Sequence, residues 1–186
     1  MSGASAERPV VRRWSSTNRW VGRPYGPPIA FVLHTSSGGE SGTVAEYLTS
    51  ASELSCHYSV GLDGSIDAFI DAGDRAWSNG ILEPGTSWPL VAEACGVDPA
   101  INPNHVTVTC DTADGGQLDR EVTEAQFAGV LFAAREAQAR YPRSIRYLLR
   151  HADISPQSRA HCPGERWMTN GRFCQLARAL QLRTTF

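Results

Sequence analysis

Two short strand-like segments that each stop at a histidine constrain this 186-residue chain more than any other feature. Ile29-Ala30-Phe31-Val32-Leu33 carries no polar side chain and ends at His34. A strand with one face in water alternates apolar and polar residues, whereas an unbroken run is buried on both faces. Such a strand belongs inside a sheet covered on both sides, the layering of α/β proteins. Tyr147-Leu148-Leu149-Arg150 reads as a second short strand, and His151 follows it. Open α/β sheets place their sites at the carboxyl ends of strands, where both histidines fall.

The remaining pattern fits one domain of this class. Residues 1–26, rich in Ser, Arg, Gly and Pro, read as an irregular N-terminal arm, with the domain proper over 27–186. Thr43-Val44-Ala45-Glu46 has capping-box spacing and predicts a helix over roughly 44–53. Two short strands, Cys56-His57-Tyr58-Ser59-Val60 and Ile66-Asp67-Ala68-Phe69-Ile70, flank Asp63-Gly64, a strong hairpin signal. Residues 77–104 are dense in Gly, Pro, Asn and Trp and read as a long functional loop, with a short helix around Pro89–Cys95. Val106-Thr107-Val108-Thr109-Cys110 alternates as a half-buried strand does. A second capping box, Thr123 to Gln126, opens a helix on which Phe127, Val130, Leu131, Ala134, Gln138 and Tyr141 recur at helical spacing until Pro142. A closing helix, roughly Arg172–Leu182, is expected to bury Phe173, Leu176 and Leu180. The expected fold is a single α/β domain, a mixed central β-sheet flanked by helices.

Composition removes several classes of function. A net charge of −2 and a pI near 6.2 do not suit a duplex-DNA binder, so no nucleic-acid partner is expected. All 17 basic residues are arginine, so no step here is open to a lysine ammonium. No stretch approaches the ~20 apolar residues of a membrane span. The N-terminus carries Arg8, Arg12, Arg13 and Arg19 and has no apolar core, so it does not read as a secretory signal peptide. The expectation is a protein made in the cytoplasm that reaches its target by another route. The cysteines are Cys56, Cys95, Cys110, Cys162 and Cys174, an odd set without tight spacing. That argues against a disulfide scaffold and leaves one thiolate for a metal or catalytic role.

His34, His151 and Cys162 are the side chains best suited to a metal. Two imidazoles and a thiolate suit zinc, and three protein ligands leave a fourth position open for water. No C-x-x-C exists to make a closed structural site. A strand-end histidine also serves as a hydrogen-bonded loop anchor, and spacing alone leaves both readings open. His161, beside Cys162, is a rival ligand.

The sequence around these residues resembles the type-2 N-acetylmuramoyl-L-alanine amidase family, which includes phage lysozyme amidases and peptidoglycan recognition proteins. Phe31-Val32-Leu33-His34-Thr35-Ser36 is similar to its first zinc-histidine strand. Ser55-Cys56-His57-Tyr58 through Asp63-Gly64 is similar to its Ser-x-His-Tyr…Asp-Gly hairpin, and Arg75-Ala76-Trp77-Ser78-Asn79-Gly80 to its Arg-Ala-Trp-x-x-Gly segment. Arg150-His151-Ala152-Asp153-Ile154-Ser155-Pro156 resembles the second-histidine motif, and Cys162-Pro163-Gly164 the third-ligand motif. The matches run in family order over about residues 29–167. The resemblance implies Zn2+ on His34, His151 and Cys162, with Asp153 bracing the second histidine's loop. It also implies hydrolysis of the lactyl amide between muramic acid and L-alanine in peptidoglycan, an endolysin-like lysis of cell wall by a monomer. The rival is a recognition protein of the same fold that binds peptidoglycan without cutting it.

The pattern breaks in two places. Where many members carry a proton-accepting glutamate, this chain has Thr109, whose hydroxyl is a poor base near neutral pH. Strand parity puts His105, Thr107, Thr109 and Asp111 on one face, so Asp111 or His105 could supply the missing group. Where members carry lysine or threonine two residues before the third ligand, this chain has Ala160, and the neighbouring Arg159 is the candidate oxyanion stabiliser. Cys56 occupies the position at which some branches have a tyrosine, so none is assigned to catalysis. Either His57 or Tyr58 should face the cleft, with His57 favoured as a proton carrier and Tyr58 kept as a substrate contact. Trp77 and Asn79 are expected to line the substrate groove.

Overall fold

The computed structural model describes residues 9–36, 38–115 and 117–186; positions 1–8 of the expected arm, and Ser37 of the loop after His34, lie outside them. Its elements are β1 (Val11–Arg13), β2 (Arg19–Trp20), β3 (Ala30–Thr35), α1 (Glu40–Leu48), β4 (Tyr58–Val60), β5 (Ile66–Ala68), β6 (Arg75–Ala76), α2 (Trp88–Ala94), β7 (Thr107–Thr112), α3 (Glu124–Arg140), β8 (Tyr147–Arg150), α4 (Glu165–Thr169) and α5 (Arg172–Leu180). Six strands form one mixed sheet in the order β1-β5-β4-β7-β3-β8. Only the β4–β5 hairpin is antiparallel. β2 and β6 form a separate antiparallel pair.

The apolar run works as its composition dictates. β3 lies between β7 and β8, and Ala30 to Leu33 are fully buried. Phe31 and Leu33, with Val108, Cys110 and Leu148, face Val130, Ala134 and Ala137 of α3 and Phe173, Leu176 and Leu180 of α5. Ala30 and Val32, with Val106 and Leu149, face Trp88, Val91 and Ala92 of α2. The period of two thus splits one continuous run between two cores. α3 begins at the expected cap: Thr123 Oγ1 accepts the Gln126 N–H at 2.9 Å. It lies tight on the hairpin because Gly129 has no side chain; a Cβ there would stand 2.6 Å from Val60 Cγ1. No helix among the described residues is long and apolar enough to cross a membrane.

Three local expectations are corrected. The arm is not irregular throughout, since residues 11–13 and 19–20 are strands. β1 adds to the sheet edge parallel to β5, and Arg12 pairs with Asp67 at 2.8 Å. A three-residue edge strand with two arginines reads as a solvated segment because its partners are distant in sequence. The helix expected over 44–53 runs over Glu40–Leu48, capped by Gly39, and the Thr43 hydroxyl turns to Ser36 Oγ at 3.0 Å instead of capping. β7 is buried on both faces, since its polar side chains find protein partners in place of water.

Candidate active site

β3 and β8 deliver His34 and His151 to one end of the sheet, and the loop before α4 brings Cys162 to them. Their ligand atoms all lie within 4.8 Å of one another, and the three residues are 4 %, 7 % and 7 % exposed. A zinc ion with bonds of ~2.0–2.3 Å sets its ligand atoms roughly 3.3–3.8 Å apart, so the trio needs only small side-chain adjustments to hold one.

The hydrogen bonds give a sharper test of that fit. His151 Nε2 lies 3.1 Å from the Asn79 backbone carbonyl, which only accepts, so this nitrogen carries the proton. His34 Nε2 lies 3.0 Å from Asn79 Oδ1. Both rings therefore turn the other nitrogen, Nδ1, inward as a bare lone pair, and the two Nδ1 atoms are 2.9 Å apart. Two acceptors at that distance repel unless something positive joins them. Neither ring takes a second proton readily. Burial, then the neighbouring His151, holds the His34 pKa well down, and burial lowers that of His151 to about 4. The Thr35 N–H points at Cys162 Sγ at 3.3 Å, a donor suited to a thiolate. Burial pushes the free thiol up to about 12, so a bound cation is what would favour its ionised form. These residues fit a divalent metal held by two Nδ1 atoms and one sulfur.

A cleft of about 390 Å³ opens over the trio and is lined also by Tyr47, Trp77, Asp111 and Arg159. Asp111 stands beside His34 in register on the neighbouring strand, on the same sheet face. It is buried, and its carboxylate accepts from the Tyr47 hydroxyl. Burial, outweighing that hydrogen bond, raises its pKa to about 7. Arg159 is exposed at the rim. Trp77 lines the cleft, its ring 5.5 Å from Trp20. Asp153 accepts the Arg150 N–H at 2.8 Å and pairs with its guanidinium, bracing the turn that carries His151. Tyr47 had no signal in the sequence; it lies on α1 and meets Asp111 only in the fold. His161 is no rival ligand, as its ring turns to Glu165 at 3.5 Å.

Five expected site residues lie elsewhere. His57 is fully buried behind the sheet end: its Nδ1 accepts the Thr109 N–H at 3.1 Å and its Nε2 faces the Asp74 carbonyl at 3.3 Å. Thr109 is spent on the same contact, its hydroxyl 3.1 Å from His57 Nδ1, and does not reach the cleft. Tyr58 faces the α3 core, on the opposite side of the sheet. His105 ends a 3-10 turn instead of extending β7, stacks on Tyr25 at 4.7 Å and meets Arg75 at 2.9 Å. Asn79 is fully buried under the histidines and lines no groove. Tyr58 is placed by apolar packing, and in the other four cases a polar side chain was satisfied by a partner that only tertiary structure supplies.

His57 carries a stability prediction. Burial and then Arg23 lower its pKa from 6.5 to about 3. The native ring stays neutral while the unfolded one protonates below about 6.5, so stability is full above that pH and falls as pH drops towards 3. The slope is about 1.4 kcal/mol per pH unit. Denaturant unfolding of wild type and His57→Gln between pH 6 and 4 is expected to show wild type losing stability faster by about that slope; parallel curves would contradict it.

Comparison with known proteins places this geometry. The family model described as N-acetylmuramoyl-L-alanine amidase (Amidase_2) matches residues 24–165. A selenomethionine derivative of AmpD shares the fold with a TM-score of 0.67 at 18 % identity, over 95 % of this chain and 99 % of that one. AmiD from E. coli, solved with anhydro-N-acetylmuramic acid-L-Ala-D-gamma-Glu-L-Lys, aligns with a TM-score of 0.61 at 20 % identity, over 83 % of this chain and 58 % of that one. The amidase LysC from Clostridium intestinale aligns with a TM-score of 0.55 at 14 % identity, over 92 % and 99 %. No curated protein sequence matches the chain.

Proposed function

The chain belongs to the N-acetylmuramoyl-L-alanine amidase family, whose substrate is peptidoglycan, and on that footing we propose a zinc enzyme with His34, His151 and Cys162 as its metal ligands. The observation that carries the metal is the pair of lone-pair nitrogens, 2.9 Å apart, aimed at each other beside a buried thiol. Zinc bound there supplies Lewis-acid polarisation of the scissile carbonyl and lowers the pKa of a water towards ~7.

The reaction adds water across the lactyl amide: the C–N bond breaks, the carbonyl carbon gains OH, and the L-alanine nitrogen gains H. Asp111 is the group placed to move that proton. It lies in the cleft beside His34, and its raised pKa lets it both accept from the attacking water and donate to the departing amine near neutral pH. Tyr47 holds the carboxylate in place. Arg159 at the rim supplies a permanent positive charge for the tetrahedral oxyanion, taking over from the absent lysine. Trp77 offers a ring wall to sugar or peptide. All three ligands come from one chain, so the site needs no partner subunit, and we read the enzyme as a monomer engaged in wall lysis of the endolysin kind.

Digestion of purified peptidoglycan tests the reaction. The expected products are new L-alanine amino termini in step with falling turbidity, without new reducing ends. New reducing ends without amines would make it a glycosidase. Tight binding with no product would make it a recognition protein.

A further inference from the structure

We propose that Asn79 is a positioning residue for the metal, its side chain fixing the tautomer of His34 while its backbone fixes that of His151. The inference rests on the reading of His34, His151 and Cys162 as the zinc site. A histidine can ligate through Nδ1 only if its proton sits on Nε2, and an outer partner at Nε2 decides this. Here one residue is that partner for both rings, by its carbonyl at 3.1 Å and its side-chain oxygen at 3.0 Å.

A side-chain amide can in principle turn over and present NH2 instead of oxygen. In this structure a chain of hydrogen bonds blocks that. The Thr107 hydroxyl donates to the Pro103 carbonyl at 2.9 Å, so it has only lone pairs left for Asn79. Asn79 Nδ2 donates to it at 2.9 Å, which leaves Oδ1 for His34. The backbone is held as firmly: the Asn79 N–H donates to Asn104 Oδ1 at 2.8 Å, and Asn104 is tied to Asn102 in turn. Every polar atom of Asn79 is used, and the residue is fully buried.

One neighbour shows why the amide is needed. Ser78 Oγ lies 3.4 Å from the same His34 Nε2. A hydroxyl either donates or accepts, so Ser78 alone supports both tautomers, one of which places a proton on Nδ1 and blocks ligation. The Asn79 oxygen accepts only and removes the choice. His151 has no such dependence on the side chain, because a backbone carbonyl survives any substitution at position 79.

That asymmetry gives the experiment. Wild type, Asn79→Ala and Asn79→Asp are stripped of metal. Imidazole nitrogen shifts report each tautomer, and zinc affinity is measured by competition with a chelator. Asn79→Ala is expected to leave His151 protonated on Nε2, to turn His34 into a mixture, and to weaken zinc about 10- to 100-fold. Asn79→Asp keeps an acceptor for His34, its second oxygen taking the Thr107 hydroxyl proton once that hydroxyl turns from Pro103, and is expected to recover affinity to within a few-fold of wild type. Unchanged zinc affinity and an unchanged His34 tautomer in Asn79→Ala would overturn the proposal. So would equal disturbance of both histidines, which would mean a damaged fold. Failure of the wild type to bind zinc would instead overturn the metal reading, while the His34 tautomers would still decide whether Asn79 sets them.

Discussion

Cys162→Ala is expected to lose its zinc and at least about 10³-fold in kcat, the scale of the several kcal/mol a Lewis acid supplies to a developing charge. Cys174→Ala is expected to keep both. The contrast follows from where the two thiols sit. Cys162 is buried against His34 and His151 with the Thr35 N–H aimed at its sulfur. Cys174 is partly exposed on α5, on the far side of the sheet from the cleft. All five cysteines are free, so neither change opens a disulfide. Metal content by mass spectrometry, thermal unfolding and amine release on each variant separate the possibilities. Equal losses from both changes would show the effect to be general destabilisation. Full zinc in Cys162→Ala would remove Cys162 from the ligand set.

The two histidines of the trio were legible because their signal is local, whereas Cys162 joined them only through the family resemblance. A short strand that stops at a histidine states direction and end point within a few residues, and both instances landed at one end of the sheet. The α3 cap and the β4–β5 hairpin were legible for the same reason. What surrounds the trio was not. Parity correctly set Thr107, Thr109 and Asp111 on one face, yet it could not say that Asn79 covers the first, His57 the second, and that only the third is left open to the cleft. Tyr47 reaches Asp111 across 64 positions of sequence, and Asn79 reaches His34 and His151 across 45 and 72. No periodicity encodes such contacts. His57 misled because a histidine beside a catalytic motif looks functional, while the backbone amide that satisfies it belongs to another strand.

The placement of Thr109 also changes what can be asked of the missing glutamate. Thr109 packs against His57 beneath the cleft floor, so a Thr109→Glu change would bury a carboxylate there and destabilise the fold without restoring a base. The chain instead presents a carboxylate one pleat further along β7, where the strand runs out past its cover.

Asp111→Asn is accordingly expected to lower kcat by about 10²- to 10⁴-fold, the range for a general acid–base group, with zinc content unchanged. Asparagine keeps the volume and still accepts from Tyr47, so packing survives while proton transfer is lost. Three facts single out this residue: it lines the cleft, it stands in register beside His34, and burial raises its pKa to about 7. Tyr47→Phe is expected to cost less, about 10- to 100-fold, because removing a hydrogen bond to a charged group is worth roughly 1.5–3 kcal/mol and leaves the carboxylate itself in place. Thr109→Ala should lower stability through its contact with His57 while leaving kcat of the folded enzyme within a few-fold of wild type. The order of the three effects on kcat is the test, with zinc bound measured in each. Asp111→Asn within about twofold of wild type would make the buried carboxylate a structural partner of Tyr47 and return the proton to solvent. A larger loss in Tyr47→Phe than in Asp111→Asn would make the phenol the group that meets the substrate, with Asp111 serving to orient it.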